Sequence, residues 1–213
     1  MKSETLARIL STKVVAILRG ADPDSVLSII EALHAGGITN VEITLNSPSA
    51  LQLIRKACDV MGDRMLVGAG TVLDPEGARA AIDAGARFII SPALDEDTVR
   101  YTLGAGIVSI PGAFTPTEVL RAHRLGADIV KVFPASTGPG YIRDIRAPLS
   151  HIPLMPTGGI RPDNIKAYRD AGGVAFGVGS ALVDARIRVT EEYLLTIRET
   201  ARAFALAVND PST

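Results

Sequence analysis

The feature that most constrains the fold is a repeated unit in which a helix-like stretch ends at a glycine and a short apolar run follows. Glycine is the residue expected just past a helix, because it adopts the left-handed backbone conformation without a Cβ clash. Each unit is therefore predicted to read helix, glycine, strand. The glycines at these positions are Gly36, Gly62, Gly85, Gly106, Gly126 and Gly172.

The apolar runs predict eight strands. They are too apolar for a sheet with one face in water, which indicates parallel strands covered by helices. Eight units of this kind predict an α/β protein with one (β/α)8 TIM barrel domain over residues 1–213; a doubly wound open sheet is the alternative. A proline follows each of Asp22, Ser47, Asp74, Thr115 and Arg161. Because proline is favoured in the first turn of a helix, helices are predicted to begin at or near these prolines. The predicted strands span residues 14–18, 40–45, 65–68, 87–91, 107–110, 128–133, 152–156 and 174–178.

Charge and composition exclude several kinds of partner. A net charge of -1 leaves no overall basic field for nucleic acid or an anionic membrane surface. The apolar runs are far shorter than the roughly 20 residues that span a bilayer. Cys58 is the only cysteine, and the first residues lack the apolar core of a signal peptide. We therefore expect a cytoplasmic protein with no nucleic-acid or membrane partner.

Lys131 lies in the middle of a predicted buried strand, where an ammonium is costly. Such a lysine either pairs with a carboxylate or has its pKa lowered toward the nucleophilic neutral amine. Glu42 is a charge of opposite sign in another predicted strand. Alternation along the strands directs Lys131, Phe133, Glu42 and Thr44 into the barrel. The pair predicts a catalytic site with Lys131 as nucleophile, and a structural buried ion pair is the alternative.

Glycine-rich segments after the last two predicted strands indicate a phosphate site. Paired glycines let backbone N–H groups approach a phosphate, and Ser180 is expected to open a short helix whose N-terminus favours an anion. Simple turns are the alternative explanation for each glycine pair. The predicted phosphate-side residues are Thr157, Gly158, Gly159, Gly179 and Ser180.

Arg19 and Thr71 follow the first and third predicted strands beside glycines. A guanidinium there is suited to bind a carboxylate through two hydrogen bonds, and a solvated surface arginine is the alternative. His34, His123 and His151 lack metal-ligand spacing, so we predict no metal and no cofactor.

Several stretches in order resemble the 2-keto-3-deoxy-6-phosphogluconate (KDPG) / 4-hydroxy-2-oxoglutarate (KHG) aldolase family, which includes the 6-phosphogalactonate aldolases. The resemblance extends from about residue 14 to residue 183. The matching stretches are VAILRG (15–20), VEITL (41–45), GAGTVL (68–73), ISP (90–92), IPG (110–112), KVFP (131–134) and PTGGI (156–160).

The resemblance implies a class I aldolase that acts on a phosphorylated keto acid and releases pyruvate. Lys131 would form a Schiff base with the substrate ketone, and Glu42 would transfer the protons. Arg19 and Thr71 would hold the substrate carboxylate and Phe133 would pack near the imine, with the five phosphate-side residues at the far end. Family members usually form trimers, so the resemblance also implies a homotrimer.

One position departs from the family pattern. Some relatives carry an arginine where this chain has Asn46, which makes Arg19 the expected carboxylate clamp. The stretches 18–20 (LRG), 46–48 (NSP) and 138–141 (GPGY, read as a loop) resemble the phosphogalactonate branch, whereas 156–159 (PTGG) resembles the phosphogluconate and hydroxyoxoglutarate branch. The configuration of the substrate at C4 stays open.

Two rival functions remain at this point. The first is a phosphate-binding barrel isomerase or epimerase, with Glu42 as base and Lys131 as an electrostatic helper. The second is a catalytically silent sugar-phosphate-binding barrel. The presence of both Lys131 and Glu42 argues against the second.

Overall fold

The structure is a computed structural model that describes residues 2–210. Strands and helices alternate along the chain, as the repeated unit predicts. Two short 3-10 turns, Gly62–Arg64 and Ala135–Thr137, add to these elements. The elements in order are α1 (Lys2–Thr12), β1 (Val14–Leu18), α2 (Val26–Ala35), β2 (Asn40–Thr44), α3 (Ala50–Met61), β3 (Leu66–Gly70), α4 (Pro75–Asp83), β4 (Phe88–Ile90), α5 (Glu96–Gly104), β5 (Val108–Ile110), β6 (Gly112–Ala113), α6 (Pro116–Arg124), β7 (Val130–Val132), α7 (Pro139–Arg146), β8 (Leu154–Pro156), α8 (Ile165–Asp170), β9 (Phe176–Val178) and α9 (Glu191–Asn209).

All strand pairs are parallel, and they form two curled sheets. The larger sheet has the order β5-β4-β3-β2-β1-β9 and the smaller one β6-β7-β8. Only Pro111 separates β5 from β6, and its carbonyl accepts the Lys131 N–H at 2.9 Å. Isolated parallel bridges join Leu154 to Gly173 and Thr157 to Gly177, between β8 and the β9 segment. The architecture is thus an α/β fold with curled parallel sheets.

Each of the eight predicted runs contains an observed strand, but only β1 has the predicted bounds, and the other strands are shorter than their runs or shifted. Strand β3 starts one residue later than predicted and continues to Gly70, and β6 was not predicted. Glycine is a poor strand former by propensity, yet Gly68 lies in β3 because any Cβ there would clash with the Phe88 ring.

The helix boundaries follow the predicted signals in most places. Pro75 and Pro116 occupy the first positions of α4 and α6, and Thr115 forms a capping box with Glu118. Pro23, Pro48 and Pro162 instead lie in turns that precede α2, α3 and α8. The segment 138–141 is not simply a loop, since α7 begins at Pro139.

One predicted glycine cap is wrong. Gly36 has φ -84, and the left-handed residue after α2 is Gly37 with φ 92. Gly36 serves packing instead, because a Cβ at this position would clash with Ala201 of α9. The other five glycines have positive φ.

Apolar side chains fill two layers. The outer layer lies between strands and helices and includes Val130, Val132, Val41 and Ile43. The inner layer is a separate cluster that includes Phe88, Ile110 and Met155. Helix α1 was not predicted, and its fully buried Ile9 belongs to this inner layer.

No helix within residues 2–210 is both long and apolar enough to cross a membrane.

Candidate active site

A cavity of about 560 Å³ lies at the C-terminal ends of β1, β7, β8 and β9. Eight of the ten residues predicted for the site line this cavity. This position follows from the parallel strands, which direct the loops after them to one end of the sheet. The eight residues are Arg19, Lys131, Phe133, Thr157, Gly158, Gly159, Gly179 and Ser180.

Lys131 is held in the middle of β7, with its backbone paired to β6 and β8. The residue is 3% exposed, and its Nζ lies 5.2 Å from the centre of the Phe133 ring. Burial lowers the pKa of the ammonium, Glu42 opposes that shift, and Arg19 adds to it. Burial thus favours the neutral amine that a nucleophilic lysine requires.

Glu42 is fully buried in β2, and neither of its carboxylate oxygens has a hydrogen-bond partner among the described residues. Burial raises the pKa of this carboxyl, while the charges of Lys131 and Arg19 act in the opposite direction. Lys131 and Glu42 therefore interact electrostatically without a hydrogen bond between them. Glu42 does not line the cavity surface.

Gly70 provides the space that the Glu42 carboxylate occupies. A Cβ at residue 70 would lie 2.6 Å from Oε1 and 2.7 Å from Cδ of Glu42. Gly177 has the same relation to Thr157, whose hydroxyl would clash with a Cβ there. Glycines of the strands thus set the positions of two polar side chains at the site.

The phosphate-side loop after β8 has an unusual backbone. Gly158 and Gly159 have φ values of 100 and 75, which an L side chain rarely adopts. Thr157 is 3% exposed, and its carbonyl accepts the N–H of Ala135 at 2.8 Å. This conformation keeps Gly158 and Gly159 on the cavity wall.

The expectation that Ser180 opens a helix is wrong. The N–H groups of Leu182 and Val183 both bond to the carbonyl of Gly179, at 2.8 and 3.0 Å, and the chain then leaves this single turn. Leu182 and Val183 are buried, so packing of the turn against the core replaces helix extension.

Thr71 lies outside the cavity lining, contrary to its expected place beside Arg19. Its φ of 55 is left-handed and turns the chain at the end of β3. Arg19 is exposed at the cavity and has no hydrogen bond or ion pair to another described residue. The exposed side chain of Asn46 is likewise outside the lining.

Ser47 is a structural residue of the site that the sequence did not single out. Its Oγ accepts the Gly20 N–H at 2.8 Å and lies 2.9 Å from the Thr44 hydroxyl. It therefore ties the loop after β1, which carries Arg19, to the loop after β2.

Three charged residues of the cavity wall were also missed: Arg161, Asp184 and Arg186. The sequence signal for Arg161 was read only as a helix start, and Asp184 and Arg186 follow the last glycine-rich turn. Their common signal is position, since each comes within a few residues after a strand that ends at the cavity.

No group of three or more His, Cys, Asp or Glu side chains in residues 2–210 is arranged to hold a metal ion.

A buried lysine with a lowered pKa, near a buried carboxylate at the C-terminal ends of parallel strands, is typical of enzymes that form a Schiff base. Comparison with known proteins supports this class. The sequence model described as "KDPG and KHG aldolase" matches residues 6–197. The chain belongs to the KDPG and KHG aldolase family, whose members are carbon–carbon lyases.

Individual relatives come from both substrate branches. The chain is 40% identical over 171 residues to the 2-dehydro-3-deoxy-6-phosphogalactonate aldolase of Escherichia coli (strain K12), covering 79% of this chain and 83% of the relative. It is 37% identical over 164 residues to a 2-dehydro-3-deoxy-phosphogluconate aldolase of Pseudomonas aeruginosa, covering 76% and 72%.

The fold is also similar to that of a KDPG aldolase from Legionella pneumophila in which pyruvate was captured at low pH as a covalent carbinolamine intermediate. The TM-score is 0.82 at 27% identity, and the match covers 93% of this chain and 97% of the other.

Proposed function

We propose that this protein is a class I aldolase that cleaves 2-keto-3-deoxy-6-phosphogluconate to pyruvate and glyceraldehyde 3-phosphate through a Schiff base on Lys131. The observation that carries the proposal is the Lys131 amine, which is almost fully buried on a cavity wall and has its pKa lowered by burial. A neutral amine in that position is poised to attack a ketone.

The first half of the reaction takes place at Lys131. Its Nζ attacks C2 of the keto acid to give a carbinolamine, which loses water to form the imine. The protonated imine then accepts the electron pair of the C3–C4 bond as that bond breaks. This step releases glyceraldehyde 3-phosphate and leaves an enamine on the lysine.

We assign the proton transfers to Glu42, the only carboxylate whose charge acts on Lys131 within the described residues. Its raised pKa suits it to accept the C4 hydroxyl proton and to return a proton to C3 of the enamine. Because Glu42 lies off the cavity wall, we propose that one water carries the proton between this carboxylate and the substrate. Hydrolysis of the resulting imine frees pyruvate and regenerates Lys131.

The remaining wall residues divide between the two ends of the substrate. Arg19 has no partner among the described residues and is assigned to the keto-acid carboxylate, and Phe133 packs beside the imine. Thr157, Gly158, Gly159, Gly179 and Ser180 are assigned to the phosphate end. Thr71 stays a candidate for the carboxylate only if the loop after β3 moves on binding.

A second candidate substrate is the C4 epimer, 2-keto-3-deoxy-6-phosphogalactonate. The Escherichia coli relative named for this substrate favours it, as do the stretches 46–48 and 138–141. We also propose cleavage of 4-hydroxy-2-oxoglutarate to pyruvate and glyoxylate as a secondary activity. A coupled pyruvate assay on the two epimers and on 4-hydroxy-2-oxoglutarate ranks the three substrates.

The defining experiment is reductive trapping. Incubation with pyruvate and sodium borohydride is expected to add one reduced pyruvyl group, which peptide mass spectrometry locates on Lys131. Lys131→Met is expected to lose both the adduct and pyruvate release, while Lys56→Met, an exposed lysine outside the cavity, keeps both. Absence of an adduct at saturating pyruvate would overturn the proposal and favour an isomerase or epimerase that uses Glu42 as a base.

The proposal includes the architecture around the site. We propose that β5 and β6 are one strand interrupted at Pro111 and that the bridges between β8 and the β9 segment close the sheets into a (β/α)8 barrel. Residues 1–213 then form one domain. The family resemblance supports a homotrimer, for which light scattering would give three times the 22.3 kDa chain mass.

A further inference from the structure

Two arginines line the cavity from loops that are not adjacent in sequence. Arg161 follows the glycine pair after β8, and Arg186 follows the turn after β9. Both loops also carry the glycines assigned to the phosphate end. The two arginines and the glycines of both loops therefore line the same cavity.

Each guanidinium is paired with an acidic neighbour through the same edge. Arg161 donates from Nε and Nη2 to Asp163, at 3.1 and 3.3 Å. Arg186 donates from Nε to Asp184 at 2.9 Å and from Nη2 at 2.6 Å. The Nη1 group of each arginine has no partner among the described residues, so the outer edge stays available to a second anion.

The charge of the cavity wall is unlike that of the whole protein. The wall carries three guanidinium groups, those of Arg19, Arg161 and Arg186, and the Lys131 amine, against one carboxylate, Asp184. The protein has a net charge of -1. Hydrogen bonds from Arg186 lower the pKa of Asp184 to about 2, as expected for a carboxylate paired with a guanidinium.

The ordinary explanation for the two pairs is that they are surface ion pairs of little consequence. The side chains of Arg186 and Arg161 are indeed 87% and 58% exposed. This explanation does not account for their shared place on the wall of one cavity or for the same edge being left open in both.

We propose that Arg161 and Arg186 form a two-arginine clamp that makes the enzyme selective for substrates with a dianionic phosphoryl end over keto acids that lack it. The inference rests on the proposed function. Backbone N–H groups of the glycine loops recognise oxygen atoms of any charge, whereas two fixed guanidinium groups add an attraction that grows with the charge of the ligand. The clamp is thus a specificity determinant and takes no part in the bond-breaking steps.

The test compares kcat/KM for the better of the two phosphorylated epimers with kcat/KM for the same acid without phosphate. We expect Arg161→Gln and Arg186→Gln each to lower kcat/KM for the phosphorylated acid about tenfold, the weight of one hydrogen bond to a charged group. The value for the unphosphorylated acid is expected to change less than about twofold, since it makes no contact with either charge. The loss should shrink at about 1 M salt, where the screening length is only about 3 Å.

Arg188→Gln is the matched control, because Arg188 carries the same charge in the same segment but does not line the cavity. It is expected to leave both substrates unchanged. The proposal is overturned if the two kinds of substrate lose activity equally, if neither changes, or if Arg188→Gln has the same effect as Arg186→Gln.

Failure of the clamp and failure of the aldolase proposal are distinguishable. Trapping of pyruvate on Lys131 does not involve the phosphate end, so it should proceed normally in both arginine variants. A normal adduct with an unchanged preference for phosphate removes only the clamp. Loss of the adduct from the unmodified protein removes the aldolase proposal itself.

Discussion

Gly70→Ala is expected to damage catalysis by displacing Glu42 while it leaves Lys131 in place. The new Cβ would lie 2.6 Å from Glu42 Oε1, and an ordinary contact begins at 3.4 Å, so this separation must open by about 0.8 Å. Glu42 is fully buried, so its carboxylate can move only against packed neighbours. A displacement of about 1 Å of a catalytic group can cost about 100-fold, so we expect kcat/KM to fall by roughly 30- to 100-fold.

The assay separates this loss from misfolding. Overpacking a core costs about 1–3 kcal/mol, which thermal unfolding measures, and reduction of the pyruvate imine shows whether Lys131 still reacts. Gly104→Ala is the matched control: a Cβ there meets nothing within 4 Å, and we expect a gain of about 0.4–1 kcal/mol with unchanged kinetics. Normal turnover by a correctly folded Gly70→Ala variant would refute the role of the Glu42 position.

Three further predictions concern the same group of residues. Glu42→Gln is expected to form the pyruvate imine yet lose turnover by roughly 10²- to 10⁴-fold, measured by coupled pyruvate release; near-normal turnover would assign the proton to another group. Arg19→Ala is expected to raise KM for the keto acid with a smaller effect on kcat, and an unchanged KM would place the carboxylate clamp elsewhere. Because burial raises the pKa of folded Glu42, its contribution to stability is full below the unfolded value of 4.5 and is lost as pH rises through the folded pKa. The Tm of Glu42→Gln relative to the parent should therefore increase from pH 4.5 to pH 7.5, and a flat difference would contradict the raised pKa.

The strands could be predicted because burial on both faces leaves a plain signal in the sequence. Runs of β-branched residues between glycines located all eight predicted strands to within a few residues. The predicted strand ends were wrong where side-chain packing overrode the local sequence preference. Gly70 lies beyond the predicted end of β3, at a position where the Glu42 carboxylate leaves no room for a Cβ, and no local pattern carries that information.

The residues of the site likewise divide into those that the sequence indicated and those that only the fold brings together. Lys131 stood out because a charge in an apolar strand is energetically conspicuous, and the cavity wall contains it as expected. Arg161 and Arg186 gave no comparable signal, since arginines in polar loops are common and only the fold brings these two loops together. The helix expected at Ser180 failed because burial of Leu182 and Val183 redirected the chain after one turn.

The hydrogen bond from the Gly20 N–H to Ser47 has a consequence for redesign of the enzyme. Folds of this kind support different chemistries through variation of the loops after their strands. Here the loop that carries Arg19 takes its shape partly from a hydroxyl in the next loop along the sheet, which also contacts Thr44. The two loops therefore form one exchangeable module, and a graft that moves either without the other would lose the geometry it was meant to transfer.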